Sequence, residues 1–195
     1  MNLVKLKKTK TFFKFNNKKS QSIFLFFLII FSVYCALTIG KSWDEDFQLF
    51  QGKLTLDYLF SFGRINVDHI YREYYSPIYW SLKYLLTQIF PFKYQIEANH
   101  LINLILSFST IIGIGKLSKE FFNRQVGKIV FLILFFYPIF FGHMAFNDKD
   151  MVLAFCHVWI FYLVIRYLKK HNIKDKINFY IILLGVLSAV ATGIH

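Results

Sequence analysis

The chain has 195 residues, 56% of them hydrophobic and 21% aromatic, with a mean hydropathy of +0.44; water-soluble domains seldom reach these values, and they define a membrane protein. The net charge of +12 does not indicate a nucleic-acid binder, because the bases gather beside apolar runs instead of alternating with aromatics along a groove. Cys35 and Cys156 both fall inside apolar runs, where they read as small core hydrophobes and say little about redox compartment.

Residues 1–21 form a basic amino terminus, with Lys5, Lys7, Lys8, Lys10, Lys14, Lys18 and Lys19 preceding the first apolar run, Ser22 to Gly40. That run is too long for the h-region of a removable signal and no small-x-small site follows it, so it reads as an uncleaved signal anchor. Bulky Tyr34 argues against a lipoprotein reading of Cys35. A helix must supply about 20 apolar residues to cross about 30 Å of hydrocarbon, and four further windows approach this: Ala98 to Gly115, Val126 to Ala145, Met151 to Leu168 and Ile177 to Ile194. The fold class is therefore all-α, a polytopic transmembrane bundle of about five spans covering residues 22–195, with no soluble domain and no internal repeat.

Between the first two spans lies a long loop, residues 41–97, with amphipathic stretches such as "FQLFQGKLTLDYLFSFG" that suit helices lying in the membrane interface. Trp43, Tyr58, Tyr74, Tyr75, Tyr79, Trp80 and Tyr84 are expected there as headgroup-level anchors. Ser76 to Phe90, "SPIYWSLKYLLTQIF", is bounded by Pro77 and Pro91 and contains Lys83 and Gln88, which fits an interfacial or re-entrant helix better than a span. Charge tests this independently. If the segment does not cross, the cytoplasmic segments are the amino terminus, Lys116 to Lys128 and Arg166 to Lys176, together holding 16 of the 23 bases, while nine of the 11 acids lie outside. Crossing would put the two later basic loops on the wrong face. Asp44-Glu45-Asp46, after the first span, and Asp148-Lys149-Asp150, in the second outer loop at residues 146–150, thus emerge on one face and can meet in one site.

These two acidic segments carry the chemistry. Acids directly after a span are cheap to solvate, so "KSWDEDF" alone would read as a wetted loop start; in company with a second acidic segment, one of its carboxylates can accept a proton from an acceptor hydroxyl. In "FNDKDMV" two readings stand. Ionisable groups in so apolar a neighbourhood suggest function, with Lys149 pairing with a phosphate and an Asp orienting a hydroxyl or a cation; alternatively Asn147 and Asp148 form a turn and Asp150 caps a helix starting near Met151. His100 and Asn103 stand one turn apart on one helical face directed into the bundle, which favours hydrogen bonding between helices; His143 and His157 read as packing or hydrogen-bonding residues, and His69 sits in the outer loop. No glycine-rich phosphate loop, Cys/His metal spacing or Ser-centred nucleophile elbow occurs. The acids do not by themselves distinguish a divalent-cation site from a metal-free base, so no cofactor is required by the sequence.

Asp44-Glu45 just after the first span resembles the "DE" pair in the first outer loop of GT-C membrane glycosyltransferases, in particular the dolichyl-phosphate-mannose protein mannosyltransferase-like and aminoarabinose-transferase-like group. "YYSPIYWSLKYLL" resembles the interfacial segment that follows, "HLINLILSFSTIIGIGKLSKEFF" the next family span, and "YPIFFGHMAFNDKDMVLAF" the family's P-x-F-x-G-H-x-x-x-N-P-K-D stretch. The ordered set covers most of Trp43 to Tyr167. The resemblance implies transfer of a sugar, with inversion, from a polyprenyl-phosphate donor to a lipid, glycan or protein acceptor at the outer face. It implies Asp44 as general base, Glu45 as a supporting acid, Asp150 as the acid of the second loop, and Asn147 and Lys149 on the substrate side; His100, at the outer end of the second span, is a further candidate for substrate binding. Asp148 stands where the family has Pro, which is expected to loosen the turn and add negative charge beside a phosphate. Gly193-Ile194-His195 replaces an expected G-x-R, and the family fold continues further, so the chain is expected to be the front part of a longer protein and inactive alone.

The runner-up class is a non-enzymatic membrane protein, such as a lipid-linked saccharide transporter or an assembly subunit. A transporter should line a path with charges inside its spans, whereas here the acids cluster at span ends. The expected location is a bacterial inner membrane with the site on the periplasmic face.

Overall fold

The computed structural model describes residues 18–65, 78–169 and 174–194, and these form helices joined by short loops, with no strand among them. Lys5, Lys7, Lys8, Lys10, Lys14, His69, Tyr74, Tyr75, Ser76, Pro77, Lys170 and His195, to which the sequence assigns roles, lie outside the described residues.

The helices are α1 (Lys18–Thr38), α2 (Glu45–Phe60), α3 (Ile78–Thr87), α4 (Gln95–Phe121), α5 (Arg124–Phe136), α6 (Pro138–His143), α7 (Asp148–Lys169) and α8 (Lys174–Thr192). Three stretches are long and apolar enough to cross a membrane: Lys19–Thr38, Phe92–Phe121 and Asp148–Lys169; Phe179–Thr192 is a shorter apolar helix. This is an integral-membrane α-bundle. Its large apolar residues point outward in numbers that only lipid can cover, among them Phe26, Phe27, Ile133, Phe161 and Ile182.

The expected span from Val126 to Ala145 is two helices. Asn123 caps α5, its Oδ1 accepting from the N–H groups of Gln125 and Val126 at 2.9 and 3.0 Å. The helix then breaks at Tyr137, which is held extended at φ −73°, ψ 112°, because Pro138 has no N–H and its ring crowds the preceding residue; Pro138 instead starts α6, where a missing N–H costs nothing. Ten residues of α3 rise only about 15 Å, too little to cross a bilayer.

α4 is the central helix, in contact with α1, α3, α5 and α7; α2 packs on α3 and α8 on α7. Close approach is secured by glycine where side chains would keep helices apart. A Cβ on Gly127 would lie 2.5 Å from the carbonyl oxygen of Gly115, at the α4–α5 crossing, and one on Gly52 would lie 2.4 Å from the carbonyl oxygen of Trp80, between α2 and α3.

α4 and α7 run parallel. At one end, Asn103 of α4 meets Asp148 of α7; at the other, Glu120 of α4 binds Arg166 and Lys169 of α7 at 3.1 and 2.9 Å. Lys128 reaches Gln21 at this second end, so the bases and the acidic motifs segregate to opposite ends of the bundle. One expectation fails here: Tyr79 and Trp80 are not interfacial anchors. Both are buried against Val152, Cys156, Leu163, Leu187 and Ile194, because α3 docks into the bundle and the Tyr79 hydroxyl has a partner inside it. Trp43, 97% exposed, keeps the position an anchor needs.

Candidate functional site: a buried ionic network at the acidic end

Two side chains one turn apart on α4 gather the site. His100 and Asn103 are both fully buried, and each ties other segments to the central helix. The His100 Nδ1–H donates to the carbonyl of Ala36, in the last turn of α1, at 2.9 Å. Its Nε2 lies 2.6 Å from Oε1 of Glu45, so one proton is held between imidazole and carboxylate. The other oxygen, Oε2, accepts from the N–H of Ser42 at 2.9 Å, which fixes the start of α2. Glu45 is wholly buried, a position a carboxylate tolerates only when paired and hydrogen-bonded.

Asn103 engages its oxygen and both N–H groups. Its amide nitrogen donates to the carbonyl of Ala145 at 3.0 Å and to Asp148, and its oxygen accepts from the Tyr79 hydroxyl at 2.7 Å. Asp148 is also paired with Lys83, from α3, and neither side chain is more than 1% exposed. Burial pushes the Lys83 ammonium below its ordinary range, opposed by Asp148 and then by Glu45. Burial, followed by the charge of Asp148, drives the Tyr79 phenol well above its ordinary value, so it remains a donor. The Lys83 ammonium also lies 5.5 Å from the centroid of the Tyr79 ring. Ser107, one turn further along α4, donates to the carbonyl of Met144 at 2.9 Å and holds the chain just before α7.

The sequence-predicted residues take distinct places around this network. Asp44 is exposed at the N-cap position of α2, where its side chain makes no cap hydrogen bond, immediately beside buried Glu45. Asn147 precedes α7, and its Nδ2 donates to Oδ2 of Asp150 at 2.9 Å while the Asp150 N–H donates back to Asn147 Oδ1 at 3.2 Å. The capping residue is therefore Asn147, not Asp150, and the helix starts at Asp148, three residues before Met151; Asp150 closes a reciprocal box with the cap. Asp150 is exposed and Lys149 half-buried, its ammonium 5.1 Å from the Trp80 ring centroid. His143 meets the Asn147 amide at 3.2 Å, and the His157 Nδ1–H donates to the Leu153 carbonyl at 2.8 Å. The network thus unites Glu45 with Asp148, while Asp44 and Asp150 stand outside it.

Asp148 corrects a further expectation. Its charge is not loose beside the turn: the first helical position suits an acid as well as a proline, and Lys83 neutralises it. Lys83 carried a signal in the sequence, being the lone charged residue between Ile78 and Phe90. Its complement is Asp148, the acid that stands in place of the proline. Among the described residues no three or more His, Cys, Asp or Glu side chains come together as a metal-binding group.

An all-helical membrane bundle whose buried charges collect at one end, where an interfacial helix and two loops converge, defines a class of integral-membrane protein with its polar site at the end of the spans. The sequence from residue 77 to residue 194 matches the family described as dolichyl-phosphate-mannose-protein mannosyltransferase. The chain belongs to that family, a family of glycosyltransferases. No curated protein and no solved structure matches it.

Proposed function

We propose that the chain transfers a sugar from a polyprenyl-phosphate donor to a hydroxyl-bearing acceptor at the outer face of the membrane, inverting the anomeric centre. One observation carries the reading: Asp44 is presented to solvent directly beside Glu45, and Glu45 belongs to the buried network that also holds Asp148 at the start of the second acidic segment. A base that must meet an incoming hydroxyl has to be reachable, and Asp44 is exposed at the N-cap position, on a backbone anchored by the buried Glu45 that follows it.

In this reading the acceptor oxygen attacks the anomeric carbon while Asp44 takes its proton. The bond from that carbon to the phosphate oxygen breaks, and the electron pair leaves on polyprenyl phosphate. Lys149 supplies a positive charge for the leaving phosphate, with Asp150 and Asn147 shaping the loop that carries it. Glu45 and His100 act through Asp44 by fixing the start of α2. The charge segregation along the bundle supports placing this end outside, since bases are retained on the cytoplasmic side.

Membranes carrying Asp44→Asn, assayed with polyprenyl-phosphate mannose labelled in the sugar, should transfer at least about 100-fold more slowly than wild type at equal protein level. Wild-type transfer by this variant would overturn the assignment of the base.

A further inference from the structure

Trp80 lies between the two acidic segments and touches the helix that follows each. On α3 it stands three residues before Lys83, so the two side chains share one helical face. Each takes one of two adjacent residues at the start of α7: Lys83 pairs with Asp148, and the Trp80 ring lies 5.1 Å from the Lys149 ammonium. The same indole meets α2. Phe47 packs edge-to-face on it with ring centroids 6.2 Å apart, and Gly52 leaves room for the Trp80 backbone carbonyl. Phe47 follows Asp44 by three residues, so one side chain links the start of α2, where Asp44 is presented, to the first turn of α7, where Lys149 stands.

The contact with Lys149 has a chemical consequence that packing alone lacks. An ammonium is a compact, strongly hydrated charge on a flexible stem, and half-buried Lys149 gives up part of its water. Trp80, 5% exposed, offers the aromatic face that attracts a cation most strongly. That attraction comes from the ring quadrupole and brings no formal negative charge. A carboxylate in the same place would cancel the lysine; an indole holds it and leaves its charge to act on an anion. We propose that Trp80 is a positioning residue for the transfer, its ring holding the Lys149 ammonium at the start of α7 for the phosphate of the donor. The proposal rests on the transferase reading above and adds to it the group that acts through Lys149.

The test replaces Trp80, by nonsense suppression, with tryptophans of increasing ring fluorination, which keep the shape of the indole while weakening the pull of its face on a cation. The protein, purified in detergent, is assayed for transfer from polyprenyl-phosphate mannose and for binding of polyprenyl phosphate, the product that carries the same phosphate. The dissociation constant for polyprenyl phosphate should rise stepwise along the series, by about fivefold at its end, as expected for losing one cation–π contact, and the donor KM should rise with it. In Lys149→Met, which has no cation for the ring to hold, the same series should leave both values unchanged. A ring that served only as packing would leave the values flat in both backgrounds.

A dissociation constant that stays flat along the series while wild type transfers, or one that rises equally in Lys149→Met, overturns the positioning role and leaves the transferase reading intact. A wild type that transfers nothing, yet binds polyprenyl phosphate less tightly as Trp80 is fluorinated and only when Lys149 is present, overturns the transferase reading and retains the hold of Trp80 on a phosphate-binding lysine. A wild type that neither transfers nor binds polyprenyl phosphate overturns both.

Discussion

Removing Lys83 should damage the protein more than any surface lysine could. The ammonium and the Asp148 carboxylate are both withdrawn from solvent, and Lys83→Met leaves that carboxylate with Asn103 as its one remaining donor. Stripping one partner from a buried ion pair costs about 3–5 kcal/mol, most of it the penalty for the charge left behind. For a domain of this size that lowers the melting temperature by on the order of 10 °C. Replacing both partners by apolar residues should recover most of the loss. In Lys83→Met with Asp148→Leu, Asn103 keeps its bond to the Ala145 carbonyl and its acceptance from Tyr79, so only one amide N–H goes unpaired, at about 1–3 kcal/mol. The four-member cycle, melted in detergent by tryptophan fluorescence, should give a coupling of about 2 kcal/mol or more. Lys83→Met within about 0.5 kcal/mol of wild type, or a double variant no more stable than the worse single, would refute the argument that the pair is buried and neutralising.

Two further outcomes follow from other contacts. Gly127→Val should force α5 off α4, because even a Cβ would meet the Gly115 carbonyl oxygen at 2.5 Å; a loss of about 1–3 kcal/mol in the same melting assay is expected, against little change for Gly142→Ala, where nothing lies within 4 Å. Tyr79→Phe removes the donor to Asn103, costing about 1 kcal/mol near neutral pH. The Tyr79 phenol is raised above its ordinary value of 10.0, so the stability it contributes is present below about pH 10 and fades as pH climbs toward the higher folded value; melting curves of wild type and Tyr79→Phe should converge in that range.

Much of the bundle was legible because hydrophobic run length and the distribution of lysines report directly on the membrane. The second span and the short helix after Pro77 could be placed from length and charge alone. His100 and Asn103 were readable as a pair because 3.6-residue periodicity puts them on one face. What periodicity cannot give is which helix that face meets. The docking of α3, and with it the burial of Tyr79, Trp80 and Lys83, is a tertiary outcome of Gly52 admitting the Trp80 backbone and of Asp148 offering a counter-charge. An aromatic-rich amphipathic stretch has the same composition whether it lies at the headgroups or inside a bundle. The break at Pro138 was within reach, since proline and the residue before it announce a helix end, but the apolar run continues across it and hydropathy alone does not register the interruption.

The dependence of the site on α4 has a consequence for how the chain is made. Helix α1 leaves the translocation machinery first, and the partner for its last-turn carbonyl at Ala36 is His100, more than 60 residues downstream. Glu45 waits for the same imidazole. Between lipid-embedded helices such polar links, with close packing, must provide the cohesion that water supplies elsewhere, so α1 has no fixed station in the bundle until the central helix arrives. Assembly of the acidic end is thereby deferred at least until α4 enters the bilayer, and a nascent chain halted before residue 100 should carry its first membrane helix without the assembled site.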